Sequence, residues 1–222
     1  MISSIIVGAG KSKRFKSVVP KIFYNLHGKK IIEYSLEIFQ KADNINEIIL
    51  VLPSKYIDTK RFKTLKKKFC KLKCIVPGGQ FREESVYNGL VHCSEQNKIV
   101  LIHDGARPLV NIPLIKKVIN NTKIYGACIP VYEIFGSVKT IKNNFLEKTL
   151  KDTKLFVAQT PQGFNKDLLI SLMEKIKNNF EIFPDESSIF KYFGYKVKVI
   201  SGNAENIKIT IKDEFKIINK IL

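Results

Sequence analysis

Two stretches of sequence decide the fold: Ser3-Ser4-Ile5-Ile6-Val7-Gly8-Ala9-Gly10 near the N-terminus and Lys98-Ile99-Val100-Leu101-Ile102-His103-Asp104 at mid-chain. Each is a short apolar run that stops at glycines or at polar residues. Nearly continuous apolar runs of this length are typical of parallel strands that are buried on both faces. Both stretches therefore predict inner strands of a parallel sheet, with small or polar residues at the carboxyl ends.

The same pattern continues outward from these two stretches. Further strands are predicted at 47–52, 72–76, 125–131, 155–159 and 196–200. Amphipathic helices are predicted between them at 31–39, 82–93, 112–121, 166–178, 186–193 and 211–222. Strands that alternate with helices predict an α/β fold, here a Rossmann-like, mostly parallel sheet with helices on both faces. The 222 residues, of which 45% are hydrophobic, suit a single domain over 1–222 with a sizeable core.

Residues 134–150 break this alternation of strands and helices. The segment alternates weakly between apolar and polar residues and contains the turn-forming dipeptide Asn143-Asn144. It predicts a β-hairpin arm, at about 134–152, that projects from the main sheet. Because a projecting hairpin leaves strand edges unpaired, we expect a second copy of the chain to cover it.

The composition narrows the classes of function. No apolar run is long enough to span a membrane and the N-terminus has no basic leader, so we expect a cytoplasmic protein without membrane contact. The four cysteines match no zinc or redox spacing. The net charge of +18 would suit a nucleic-acid binder, but the basic residues are spread along the chain and only four are arginine. The densest basic block, 60–73, is interpreted as the solvated face of a helix.

The glycine-rich turn after the first strand predicts a phosphate site. In Gly8-Ala9-Gly10 the small residues allow backbone N–H groups to approach a phosphate closely. The motif is neither a dinucleotide fingerprint nor a P-loop, and taken alone it is equally consistent with an ordinary turn. Arg14 and Lys21 follow in the same loop and add cations that suit a triphosphate.

Two later segments place polar groups at the same edge of the sheet. Residues 77–85 bring glycines and Ser85 to a helix start, which fits either ordinary helix capping or recognition of a nucleobase. Asp104 directly follows a buried strand and is placed to hold Mg²⁺ or a sugar hydroxyl. His103 is expected to make a structural hydrogen bond. Because ligands bind outside the carboxyl ends of parallel strands, the three segments predict one shared site.

Taken together, these segments resemble the 2-C-methyl-D-erythritol 4-phosphate cytidylyltransferase family of the non-mevalonate isoprenoid pathway. The resemblance runs from Ile5 to Glu214, and it includes the further segments 159–162, 184–188 and 202–210. It implies a nucleotidyltransferase that joins CTP and methylerythritol phosphate into 4-diphosphocytidyl-2-C-methyl-D-erythritol, with release of pyrophosphate.

The resemblance also implies roles for individual residues. The residues expected to bind CTP are Gly8, Ala9, Gly10, Gly79, Ser85 and Asp104. The catalytic cations would be Arg14, Lys21 and Lys208. The residues expected to hold methylerythritol phosphate are Arg107, Ser137, Thr160 and Lys208. Asp104 would also contact Mg²⁺, the implied cofactor, which binds mainly through the CTP phosphates.

Members of this family are homodimers that exchange the hairpin arm, which carries one substrate residue into the neighbouring site. The chain departs from the family pattern at four places. Ser12 replaces the second loop glycine, Gly105 replaces an alanine, Gly136-Ser137 replaces an Asp-Thr pair, and Asp152 replaces a phosphate-binding arginine. Because an acid cannot bind a phosphate, Lys151 or Lys154 would have to substitute for that arginine.

Other functions are open alternatives. A ribitol-5-phosphate cytidylyltransferase would share the fold and the nucleotide loop, but segments 103–108 and 206–210 favour methylerythritol phosphate. A nicotinamide dehydrogenase would need an acid at the end of the second strand, where Pro53 stands. A non-enzymatic nucleic-acid-binding module would need its basic residues clustered on one face with stacking aromatics.

Overall fold

The computed structural model describes residues 1–150, 154–177 and 179–222. The strands are β1 Ile2–Val7, β2 Asn25–Leu26, β3 Lys29–Lys30, β4 Glu47–Leu52, β5 Leu72–Pro77, β6 Ile99–Asp104, β7 Ala127–Glu133, β8 Lys139–Lys142, β9 Phe145–Thr149, β10 Phe156–Ala158, β11 Gln162–Asn165 and β12 Lys198–Ser201. The helices are α1 Ile31–Lys41, α2 Thr59–Lys68, α3 Arg82–Leu90, α4 Ile112–Tyr125, α5 Lys166–Lys175, α6 Glu186–Tyr192 and α7 Lys212–Ile221.

One eight-stranded sheet forms the centre of the molecule. Its strand order is β10-β7-β11-β6-β1-β4-β5, and β12 also pairs with β7. Strands β1, β4, β5 and β6 run parallel, with Val7 opposite Asp104 on one side and opposite Val51 on the other. The loops that follow β1 and β6 therefore emerge side by side at one edge of the sheet.

Helices cover both faces of this sheet, as the sequence predicts. Ile5 and Ile6, adjacent on β1, pack into different cores because successive side chains of a strand point to opposite faces. The core around Ile6 includes residues of α1 and α4, and the core around Ile5 includes residues of α3, α5 and α6. The predicted α/β fold with a mostly parallel sheet is confirmed.

The structure differs from the expectation at β11, which had no predicted strand and runs antiparallel to both β6 and β7. Gly163 explains why it escapes detection: a Cβ atom there would lie 2.2 Å from Thr122 Oγ1. The close packing against α4 requires glycine, so the strand has no continuous apolar run. A smaller error concerns α4, which continues to Tyr125 and ends where Gly126 adopts a φ of 77°.

The first part of the basic block is a helix face in contact with solvent, as predicted, but α2 ends at Lys68 and the block continues into β5, which begins at Leu72. Phe62 and Leu65 of α2 pack, together with Phe69, against the core on one side. Lys63, Lys66 and Lys67 are exposed on the other side. In the part of the chain that the structure describes, no helix is long and apolar enough to cross a membrane.

The predicted arm forms a hairpin of its own. Strands β8 and β9 pair with each other as a separate two-stranded sheet. They are joined at Asn143 and Asn144, whose φ angles are 51° and 66°, as a tight hairpin turn requires. Phe145 and Leu146 are exposed on it. Asp152, the departure from the family arginine, and Lys151, one of its two candidate substitutes, lie outside the described residues.

Candidate active site

A cleft of about 570 Å³ opens where β1, β5 and β6 end. It brings together most of the predicted site residues: Gly8, Ala9, Gly10, Arg14, Lys21, Gly79, Ser85, Asp104 and Lys208. They come from the loop after β1, the turn before α3, the end of β6 and the segment before α7. Segments far apart in sequence thus converge on one site. The position after a strand predicted this for the first three segments, and the family resemblance implied it for Lys208.

In the loop after β1, Ser12, which replaces a glycine of the family pattern, adopts a left-handed backbone conformation. Ser12 has a φ of 53°, in the left-handed region that favours glycine and costs other residues about 1 kcal/mol. Its hydroxyl oxygen accepts a hydrogen bond from the Lys21 backbone N–H at 3.0 Å. This bond closes the loop and offsets the strain.

Lys21 lies in a positively charged part of the cleft. Burial, followed by the charges of Lys208 and Arg14, lowers the pKa of its ammonium group to about 8, while Asp104 acts in the opposite direction. The side chain is therefore mostly protonated at neutral pH and ready to pair with an anion.

The turn before α3 packs directly on the loop after β1. A Cβ atom on Gly78 would lie 2.1 Å from the Ala9 Cβ, so glycine is required for this contact. Ser85 Oγ accepts a hydrogen bond from the Gly79 N–H at 3.0 Å and donates one to the Phe81 carbonyl at 2.9 Å. The N-cap of α3 is Phe81, which makes no side-chain cap hydrogen bond, and Ser85 lies one turn into the helix. The capping interpretation is therefore wrong, and recognition of a nucleobase remains a prediction.

Asp104 is the electrostatic centre of the cleft wall. Lys208 Nζ lies 2.8 Å from its Oδ2, Arg82 Nε lies 3.3 Å from its Oδ1, and Arg107 Nε lies 3.7 Å from its Oδ2. Burial raises the pKa of this carboxyl, but the three cations outweigh burial and hold the pKa well below its usual range. Asp104 is therefore ionised at any physiological pH.

A row of buried hydrogen bonds holds Asp104 from behind. Thr160 Oγ1 accepts from the Asp104 backbone N–H at 3.0 Å and lies 3.0 Å from His103 Nδ1. His103 Nε2 lies 3.2 Å from the Arg107 carbonyl oxygen. Burial lowers the pKa of His103 to about 3, so the ring is neutral. The predicted structural hydrogen bond of His103 is confirmed.

Three predicted substrate residues do not line the cleft in this chain. Arg107 is buried and donates to the carbonyl oxygens of Asn206 at 2.7 Å and Ala158 at 3.1 Å. Thr160 is buried in the hydrogen-bonded row behind Asp104. Ser137 is exposed at the base of the arm. Their roles toward a substrate remain predictions.

Two residues of the site had no predicted role. Arg82 Nη1 donates to both carboxylate oxygens of Glu186, at 2.8 and 2.9 Å. Glu186 has no solvent-exposed surface. The available signal was the rarity of arginine, since Arg82 is one of only four in a chain rich in lysine.

The donor set near Asp104 fits one kind of metal site. Among the described residues, no three His, Cys, Asp or Glu side chains are grouped as metal ligands. Asp104 offers a single ionised carboxylate beside the loop after β1. Mg²⁺ is commonly held in this way, by one or two carboxylates together with substrate phosphates.

The comparisons with known proteins agree on one family. The family model of 2-C-methyl-D-erythritol 4-phosphate cytidylyltransferase (IspD) matches residues 2–222. The enzyme of that name from Clostridium botulinum is 39% identical over 215 residues, which is 96% of each chain. The one from Thermosipho africanus is 36% identical and covers 96% of this chain and 95% of its own.

A solved structure is also similar along almost the whole chain. The crystal structure of 4-diphosphocytidyl-2C-methyl-D-erythritol synthase from Anaerococcus prevotii superposes with a TM-score of 0.84 at 31% identity. The match covers 99% of this chain and 95% of that one.

Proposed function

Because the chain belongs to the 2-C-methyl-D-erythritol 4-phosphate cytidylyltransferase family, we propose that its cleft holds CTP and methylerythritol phosphate and joins them. The enzyme is a nucleotidyltransferase of non-mevalonate isoprenoid biosynthesis, and its products are 4-diphosphocytidyl-2-C-methyl-D-erythritol and pyrophosphate. The family match favours this activity over a ribitol-5-phosphate cytidylyltransferase, a dehydrogenase or a nucleic-acid-binding module. We propose that the whole chain, 1–222, forms the one nucleotidyltransferase domain.

The observation that carries the proposal is the convergence of Arg14, Lys21 and Lys208 on one cleft beside a glycine-rich loop. In the reaction, a phosphate oxygen of methylerythritol phosphate attacks the α-phosphorus of CTP, and pyrophosphate leaves. A phosphomonoester has a second pKa of about 6 and is already mostly dianionic at neutral pH, so the chain needs no general base. What it must supply is fixed positive charge that brings two anions together and stabilises the transition state.

Each part of the cleft would meet one part of the substrates. Backbone N–H groups of Ala9 and Gly10 would contact the triphosphate, and Lys21 would keep its proton and neutralise charge there. The Gly79–Ser85 turn would contact the cytosine. Lys208, which is partly exposed and lies on Asp104, would exchange this partner for the phosphate of methylerythritol phosphate.

Mg²⁺ would be held by Asp104 and by the CTP phosphates. When bound, the ion would withdraw charge from the triphosphate and favour departure of pyrophosphate. Asp104 contributes an ionised carboxylate that its three neighbouring cations and the Thr160 hydrogen bond hold in place.

We propose a homodimer in which the arm covers a second copy of the chain. The exposed apolar side chains of the arm support this assembly: Phe135, Ile141, Phe145 and Leu146. Ser137 would then enter the site of the partner, while the buried Thr160 and Arg107 would support the site through their contacts with Asp104. The four free cysteines suit a reducing cytoplasm, where we place the enzyme.

The test is identification of the product by mass spectrometry after incubation with CTP, Mg²⁺ and methylerythritol phosphate, with ribitol 5-phosphate in a parallel reaction. We expect the diphosphocytidyl product and pyrophosphate from methylerythritol phosphate only. Lys21→Ala should lower kcat by about 10²–10³, the loss typical of one transition-state donor. The exposed Lys63→Ala is the matched control and should have normal turnover. Product from ribitol 5-phosphate alone, or normal turnover in Lys21→Ala, would contradict the proposal.

A further inference from the structure

We propose that Glu186 is a positioning residue of the reaction: through the guanidinium of Arg82, it fixes the orientation in which Asp104 meets CTP and Mg²⁺. The inference deepens the function proposed above and rests on it. Neither Glu186 nor Arg82 is among the residues proposed to neutralise the charge of the substrates.

The geometry joins three separate elements through one side chain. Arg82 is the first residue of α3, Glu186 is the first residue of α6, and Asp104 ends β6. Arg82 Nη1 lies 2.8 and 2.9 Å from the two Glu186 oxygens, and Arg82 Nε lies 3.3 Å from Asp104 Oδ1. The rigid guanidinium fork therefore transmits the position of Glu186 to one defined oxygen of Asp104.

Glu186 is a firm anchor for this fork. It has no exposed surface, and within the described chain its carboxylate has Arg82 as its ion-pair partner. A buried carboxylate that loses its cation is strongly destabilised, so this pair is held together in the folded state. The preceding residue, Asp185, caps α6 by accepting the Ser188 N–H at 2.9 Å and accepts from Gln162 Nε2 at 3.1 Å. These bonds fix the backbone that carries Glu186.

The orientation of Asp104 matters because its two oxygens have different partners. Oδ1 faces Arg82, while Oδ2 faces Lys208 and Arg107. When Arg82 is anchored on Glu186, Oδ1 of Asp104 has a fixed partner. Oδ2 of Asp104 then pairs with Lys208, the cation that would leave Asp104 to bind the substrate. Without the anchor, Arg82 could turn both of its N–H edges onto Asp104 and occupy the oxygens that a ligand needs. Arg82 also begins α3, so the same anchor sets the Gly79–Ser85 turn.

A purely structural role predicts a different result, and Glu47 provides the matched control. Glu47 is also a nearly buried carboxylate, and it accepts hydrogen bonds from Ser3 and Ser94. It lies at the start of β4, at the end of the sheet opposite to the cleft. Neutralising Glu47 should lower the melting temperature and leave CTP binding unchanged.

The experiment compares Glu186→Gln, Arg82→Lys and Glu47→Gln in the full chain. CTP binding in the presence of Mg²⁺ is measured by calorimetry, together with melting temperature, kcat, and KM for each substrate. Loss of an anchoring partner of this kind typically costs 10–100-fold, so we expect CTP affinity to fall by about that factor in Glu186→Gln, with a higher apparent Mg²⁺ requirement. Arg82→Lys keeps a cation beside Glu186 but loses the fork, and it should show a similar loss.

The outcomes separate this inference from the proposed function. If the wild-type chain does not bind CTP, the proposed function fails. If the wild type binds CTP and a folded Glu186→Gln or Arg82→Lys variant binds it equally well, the positioning role is overturned. It is also overturned if Glu47→Gln loses CTP affinity to the same extent, or if neither variant of the pair folds, because the pair would then serve folding alone.

Discussion

The pH dependence of activity can be worked out from the surroundings of Lys21. Burial and the neighbouring charges of Lys208 and Arg14 lower the pKa of its ammonium group from 10.5 to about 8. The charged form is the one that neutralises the triphosphate. The charged fraction falls from about nine-tenths at pH 7 to about one-tenth at pH 9, so we expect kcat/KM for CTP to fall about tenfold over that range.

The same shift has a consequence of definite sign for stability. The folded chain binds the Lys21 proton less tightly than the unfolded chain. Stability is therefore highest above the unfolded pKa of 10.5, and it decreases as the pH falls from there through the folded pKa of about 8. At neutral pH the buried charge of Lys21 lowers the free energy of unfolding by at most about 3 kcal/mol, and screening by solvent makes this cost smaller. Lys21→Met should therefore raise the melting temperature at pH 7 while it lowers activity, and this gain should shrink toward pH 10.

The assay measures kcat/KM and kcat from about pH 6 to pH 10 for the wild type and for Lys21→Arg. An arginine stays charged throughout this range, so the decrease in kcat/KM above pH 8 should disappear in the variant. In the wild type, bound triphosphate favours the ammonium form, so the decrease in kcat should lie at higher pH than the decrease in kcat/KM. An unchanged decrease in Lys21→Arg would refute the assignment of the titration to Lys21.

Three further changes test other parts of the molecule. Asp104→Asn should abolish Mg²⁺-dependent activity with an unchanged circular dichroism spectrum, although the loss of the shared counter-charge should lower the melting temperature; residual full activity would contradict its role. Gly105→Ala places a Cβ 2.2 Å from Ile32 Cδ1 and should lower the free energy of unfolding by about 1–3 kcal/mol in urea, with Ile32→Val restoring most of the loss in the double variant. If the proposed homodimer forms through the arm, Phe145→Asp should be a monomer in light scattering, whereas the exposed Lys148→Ala should stay dimeric. A dimeric Phe145→Asp variant would argue against the arm.

The fold was predictable where the sheet is buried on both faces. The run 47–52 is entirely apolar after its first residue and ends at Pro53, and β4 has these bounds in the structure. The strand β11 was not predictable in this way, because its pairing depends on the contact of Gly163 with α4. The pattern of residues along one strand does not indicate that a helix distant in sequence packs closely against it.

The site was predictable to the level of segments, and less so to the level of side-chain direction. The position of a residue after a strand was enough to bring Gly8 and Asp104 to one cleft, whereas Lys208 was placed there by the resemblance to the family. It did not indicate that the Arg107 guanidinium turns away toward the carbonyl oxygen of Asn206, or that Arg82 joins Asp104 to Glu186. Those directions depend on partners from other segments, which only the folded chain brings together.

The departures from the family pattern fall into two groups, according to whether the compensating contacts lie within the same chain. Ser12 keeps the left-handed backbone and gains the Lys21 N–H as a partner, and the backbone of Gly105 approaches Ile32 more closely than a residue with a Cβ would allow. Each of these changes is compensated within its own surroundings. Ser137, by contrast, is exposed on the arm and has no such compensation within the described residues of one chain. In the proposed homodimer its partner would come from a second copy, so the proposed sugar-phosphate half of the site, unlike the proposed nucleotide half, would depend on that assembly.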